Sequence, residues 1–181
     1  IIVMSVMNGF KTDLTNKILG LNPHIVIQSN GFEIKDNFIS SLKIKFKNIN
    51  ISKTYTGEGI VISSESAKGI IIKGIDKKNK ESLNFLQNNI ASGNLKKFDK
   101  NTAFVGSELA FNLNLKVGDK INLTSTAFVA TPFGGLPKQE TFIISGIFNT
   151  GFFEFDQNFV FLNLPDALSI FDKNKNDRNL E

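Results

Sequence analysis

The run Gly69-Ile-Ile-Ile-Lys-Gly-Ile75 constrains this chain more than any other segment. A β-strand turns successive side chains to opposite faces, and here both faces are apolar. Such a strand must lie inside a sheet, with a strand on each edge and cover on each side. The chain of 181 residues is long enough for one generous domain or two small ones. The segments around the run read as strand, helix and three strands, the order of an α+β layer.

Ile1 to Leu21 reads as one helix, because Val3, Met7, Phe10, Leu14, Ile18 and Leu21 recur at three- and four-residue steps. Gly20 and Asn22-Pro23 supply its stop. The absence of an initiator Met leads to the expectation of a piece of a longer chain, in which this helix either continues from a transmembrane segment or is the start of a buried amphipathic helix. His24 to Gln28 and Ile49 to Tyr55 read as strands, and Asp36 to Lys47 as a helix. Two further strands, Gly59 to Ser63 and Lys68 to Ile75, complete a first subdomain over 22–82. Asp76 to Ser82 contains no apolar residue and marks the boundary. A second, β-rich subdomain spans 83–172, followed by a polar tail over 173–181. In it, Leu83 to Ile90 is a helical turn, Thr102 to Gly106 a strand, and Ser107 the N-cap of a helix facing inward through Leu109, Ala110 and Leu113. Val117-Gly-Asp119 turns into the strand Lys120 to Ser125, and Thr141 to Phe148 is the next. Phe152 to Phe161 alternates as a strand would, and Asp166 to Phe171 is helical.

The net charge of +4 comes almost wholly from scattered Lys residues, with Arg178 the one guanidinium. Interleaved Lys, Asp and Glu make a solvated surface, and no nucleic-acid footprint is expected. There is no cysteine, which excludes disulfides, Cys-ligated metals and thiol catalysis. His24 is the single histidine, with Asp13 and Glu33 as the nearest carboxylates and no Gly-x-Ser-x-Gly elbow anywhere. A hydrolase working through His24 is therefore the weaker alternative. Glu154 and Asp156 fall two apart, which in a strand puts both acids on one face. Paired acids can serve hydrolysis or hold a metal, but a polar outer face is the better reading. No phosphate-binding Gly-x4-Gly-Lys-Ser/Thr occurs. No catalytic residue, cofactor or metal is expected.

One connection does not fit a simple domain. Between Lys120–Ser125 and Thr141–Phe148, residues 126–142 replace the two to five residues of an ordinary hairpin. They carry Phe128, Pro132, Phe133, Leu136 and Pro137. Apolar residues on a long loop gain nothing from the domain's own core, so the segment reads as a surface buried by a partner. Pro132 and Pro137 fix φ on either side of Gly134-Gly135 and stiffen the tip. Phe133 and Leu136 then project as anchors.

Three segments together resemble the permease family of the lipoprotein-releasing ABC transporter, the LolC/LolE family. They are Ser5-Val-Met-Asn-Gly-Phe10 with Pro23-His24, then Val105-Gly-Ser-Glu-Leu-Ala110 with Leu115-Lys-Val-Gly-Asp-Lys-Ile121, and Thr131-Pro-x-Gly134-x-x-Pro137-x-Gln139-x-x-Phe142. The resemblance implies the α+β periplasmic core of macrolide-exporter-type permeases, in two subdomains, the first partly truncated. It also implies a protruding hook at 126–142 that receives a LolA-like periplasmic lipoprotein carrier. Phe128, Thr131, Pro132, Phe133, Gly134, Leu136, Pro137 and Gln139 would make the contacts. Glu140 stands where the family pattern leads one to expect a basic residue. By the same resemblance the domain catalyses nothing and sits at the inner membrane of a Gram-negative cell. A partner permease, a cytoplasmic ATPase subunit and a lipoprotein substrate complete the complex. A LolC-type or a hybrid permease fits equally. The alternative is a related exporter or mechanotransmission permease without carrier binding.

Overall fold

The computed structural model describes residues 2–19, 25–27, 36–46, 49, 51–63, 66–77, 80–132 and 134–172. Two helices come first, α1 (Ile2–Leu19) and α2 (Asp36–Lys45). Val3, Met7 and Phe10 on α1 are exposed, and no described helix is long and apolar enough to cross a membrane. His24 and the tail 173–181 lie outside the described residues, as do the stop signals at Gly20, Asn22 and Pro23.

The strands are β1 (Thr54–Ile62), β2 (Ala67–Ile75), β3 (Ile90–Gly93), β4 (Thr102–Gly106), β5 (Lys120–Thr131), β6 (Gly134–Phe148) and β7 (Phe159–Asn163). Between them lie α3 (Lys80–Asn88), a 3₁₀ turn at Leu95–Lys97, α4 (Ser107–Asn112) and α5 (Phe153–Asn158), with α6 (Leu164–Ile170) last. The sheet order is β3-β6-β4-β7-β2-β1-β5, and β5 pairs again with β6. Six strands therefore close into a barrel, with β3 added at the edge of β6. Two of the pairings, β2 with β7 and β4 with β6, are parallel, and the others are antiparallel.

The run Gly69–Ile75 is interior as its composition requires, with β1 and β7 on its two edges. Alternation sorts the side chains. Val61, Ile70, Ile72, Ala103, Val105, Ile121, Leu123, Phe142, Ile144, Val160 and Leu162 share one buried cluster inside the barrel. Helix α4 adds Leu109, Ala110 and Leu113 to it, and α6 adds Ala167 and Ile170. A second cluster lies on the outer side of β4, β6 and β7, where Phe104, Phe148 and Phe161 pack with Leu86 of α3 and with Phe98. Two glycines permit the close packing. A Cβ on Gly74 would strike Ala167 of α6, and one on Gly106 would strike the Asp156 carbonyl.

Several sequence expectations are corrected here. Residues 25–27 form no strand; Ile25, Val26 and Ile27 are exposed, and no described strand pairs with them. The strand placed at Ile49 to Tyr55 starts only at Thr54, where pairing with Ile75 begins. The turn at Leu83 to Ile90 is a full helix followed by an unforeseen strand, β3. Ser107 is not a cap: it is the first helical residue, Gly106 precedes it without a side-chain bond, and its hydroxyl is buried without a partner. The sheet also runs across residue 82. β1 and β2, from the expected first subdomain, pair with β5 and β7 of the second.

The largest correction concerns Phe152 to Phe161, which divides into a helix and a strand. Asp156 is buried on α5, where its carboxylate accepts bonds from Thr150 N (3.0 and 3.1 Å), Thr150 Oγ1 (2.8 Å) and Gly151 N (3.1 Å). Glu154 is exposed. The two acids are thus separated, one holding the 149–151 turn and one in solvent. Phe155 stacks on Phe159 with centroids 4.0 Å apart and meets Phe148 at 5.8 Å. Aromatic packing and the buried acid together override the local alternation.

Candidate functional site

Residues 126–142 are no loop. β5 and β6 continue as a two-stranded ribbon, pairing Phe128 with Pro137, Val129 with Leu136, Ala130 with Gly135 and Thr131 with Gly134. Only positions 132 and 133 connect the strands, the shortest common hairpin length. The sequence conceals this because Pro and paired Gly residues are poor strand formers. They are tolerated here because β4 pairs with β6 only from Ile143 onward, and β1 with β5 only as far as Ser125. Gly134 has φ +118°, a value that a side-chain-bearing residue rarely adopts, and so suits the turn.

Directly opposed residues of a ribbon share a face. Phe128 and Pro137 therefore lie on one face and Val129 and Leu136 on the other. Phe128 is 67% exposed, Leu136 59% and Val129 43%, so the ribbon is apolar on both sides. The Phe128 side chain also covers Gly135, where a Cβ would meet it at 3.5 Å. Pro132, Gly134, Pro137 and Gln139 are exposed as well. Thr131 is placed by its pairing with Gly134, and Phe133 lies outside the described residues. The structure thus gathers the sequence-selected residues Phe128, Pro132, Gly134, Leu136 and Pro137 at one end of the molecule, with Gln139 nearer the barrel. Val129 was not selected from the sequence, although its alternation with Phe128 on a strand would have shown it.

The base of the ribbon is fastened to α6 and the turn after it. Ser125, buried in β5, donates to the Ile170 carbonyl at 2.6 Å, and its oxygen accepts from Ala127 N at 3.2 Å. Ser169 donates to Glu140 at 2.8 Å. Lys138 lies 3.5 Å from Asp172 and 4.0 Å from Glu140. Glu140 therefore serves an internal contact. Close by, buried Asp166 accepts a bond from Asn101 N at 2.7 Å. Burial pushes the Asp166 carboxyl above the ordinary carboxylate range. The Asn101 bond opposes that shift, as does the charge of Lys100, while the charges of Glu140 and Asp99 add to it.

Among the described residues no group of three His, Asp or Glu side chains could hold a metal. What the ribbon offers is shape and apolar surface, with no further strand paired to it beyond Ser125 and before Ile143 among the described residues.

No protein-family model matches the chain. It is 30% identical to the lipoprotein-releasing system transmembrane protein LolC of Buchnera aphidicola from Schizaphis graminum, over 97% of this chain and 44% of that protein. It is 23% identical to LolC of Neisseria meningitidis over 94% of this chain and 42% of that protein. LolE of Haemophilus influenzae is 29% identical over 68% of this chain and 31% of its own length. The chain thus spans less than half the length of these curated relatives. In fold it is similar to the extracellular domain of the ABC-type transporter YknZ from Gram-positive bacteria, with TM-score 0.52 at 11% identity. That match covers 82% of this chain and 70% of the other.

Proposed function

We propose that this chain, which is homologous along nearly its whole length to the LolC/LolE permeases, is the periplasmic domain of a lipoprotein-releasing ABC permease at the inner membrane. Its task is to receive a LolA-like periplasmic lipoprotein carrier on the hairpin 126–142. Phe128, Thr131, Pro132, Phe133, Gly134, Leu136, Pro137 and Gln139 form the contact. The domain is not an enzyme: ATP hydrolysis belongs to a separate cytoplasmic subunit, and a partner permease completes the path of the lipoprotein substrate. Movement driven by ATP reaches the barrel through α1.

The observation that carries this reading is a ribbon leaving the barrel with Phe128 and Leu136 exposed on opposite faces. Apolar groups presented on a stiff two-residue hairpin lose little entropy on docking and can fill pockets in a partner. Replacing Leu136 by Asp puts a charge into such a pocket. Carrier bound to immobilised domain should then fall at least tenfold, the loss expected from one desolvated charge of 1.4 kcal/mol or more. Undiminished capture by a folded Leu136→Asp domain would reject the contact assignment. The competing reading, a related exporter-type permease without carrier binding, draws support from the fold shared with the YknZ domain. It requires that no carrier be captured by the unaltered chain.

A further inference from the structure

We infer that the C-terminal end of α6 is a clasp that sets the direction in which the hairpin leaves the barrel, making Ser125 and Glu140 positioning residues. The use of that direction rests on the docking reading; the geometry does not.

Between the pairs Thr124–Gln139 and Phe128–Pro137, β5 advances four residues while β6 advances two. The ladder is interrupted there, so it does not by itself fix the angle between barrel and ribbon. A two-stranded ribbon has little stability of its own to make up the loss. At this interruption the side chains cross to α6. Ser125 reaches the Ile170 carbonyl, and through Ala127 N it also braces the irregular backbone. On the other strand, Glu140 is held by Ser169. Lys138 and Asp172 add an ion pair that is largely exposed on the Asp172 side, and so weaker.

The other end of each tether is fixed. Ala167 and Ile170 belong to the barrel core, and Gly74 lets α6 sit directly against β2. Both strands of the ribbon are therefore referenced to one packed helix end. Without the tethers the ribbon samples several directions, and a partner must select among them. Ser125 carries the largest share, because it is buried and its loss leaves the Ile170 carbonyl without that donor.

The chain has no cysteine, so two can be introduced for spin labels without competition. We would place them at Asn112→Cys on α4 and Val129→Cys on the ribbon, both exposed. The otherwise unaltered chain should give one narrow distance distribution. Ser125→Ala with Glu140→Ala should broaden it and shift its mean in a chain that still folds. Glu140→Gln, which keeps an acceptor for Ser169, should preserve the narrow distribution. If Ser125→Ala lowers the melting temperature, Glu140→Ala with Asp172→Ala on the surface decides the question in the same way. An unchanged distribution in the folded double variant overturns the clasp. Carrier capture, measured separately with purified LolA-type carrier, should weaken roughly tenfold in the clasp variants, as loss of two hydrogen bonds of ordinary strength implies. Absence of capture by the unaltered chain would sink the docking reading and leave the distance result standing.

Discussion

The barrel and the ribbon are made from the same two strands, yet their side chains meet opposite fates. In β5 and β6, Ile121, Leu123, Phe142 and Ile144 turn inward and are almost completely buried. A few residues further along, Phe128, Val129 and Leu136 are just as apolar, on both faces of the ribbon, and remain exposed. The residue types do not differ; what differs is whether a closed sheet stands behind them. Below the interruption at 125–127, β1 lines the second edge of β5 over 122–125 and β4 joins β6 from Ile143, whereas above it the described strands pair with each other. Apolar character in the first region holds the fold, and in the second it is available to a partner.

That contrast is tested first by truncating one aromatic from each region. Phe142→Ala should cost roughly 3–5 kcal/mol of stability, through lost burial and the cavity left behind. Phe128→Ala should change stability by no more than about 0.5 kcal/mol in a urea titration. Comparable losses at the two positions would break the distinction between core and ribbon.

A second, smaller difference concerns Asp156 and Glu154. Asp156→Ala should lower stability by roughly 1–3 kcal/mol, because Thr150 and Gly151 lose their buried acceptor. Glu154→Ala should be silent in the same thermal melts. Equal effects would mean that the turn is not held by Asp156.

The third effect is a slope with pH. Asp166 has a higher pKa folded than unfolded, so the folded state binds this proton more tightly. Its favourable contribution is then complete below the unfolded pKa and is lost as pH rises through the folded one. Asp166→Asn keeps an oxygen to accept the Asn101 N–H and removes the titration. Chemical denaturation across the acidic range should show a stability that falls less with rising pH than in the parent. An unaltered slope would show that another group is responsible.

How far these regions were legible in the sequence follows from the same physics. The doubly apolar run Gly69–Ile75 announced an interior strand, because few other environments accept it. Periodicity also placed α1, α2 and the inner face of α4 correctly, to within a few residues. Residues 25–27 and 49–53 failed because β-rich composition makes a strand only where a ladder partner exists. Phe152–Phe161 failed for a related reason: the role of Asp156 depends on a turn brought to it by tertiary folding. For the ribbon, the long spacing and misplaced apolar residues singled out the segment, but Pro and Gly hid its regular pairing. The tethers at Ser125 and Ser169 leave no local pattern, since their partners lie 45 and 29 residues away.

The central claim is that the ribbon binds the carrier and the barrel does not need the ribbon to fold. One sample tests both parts: the chain with residues 128–138 replaced by an Asn-Gly turn, mixed with purified LolA-type carrier and run on a sizing column beside the unaltered chain. The unaltered chain should co-elute with the carrier, while the shortened chain should elute alone, as a folded monomer. Co-elution of the carrier with the shortened chain would contradict the account.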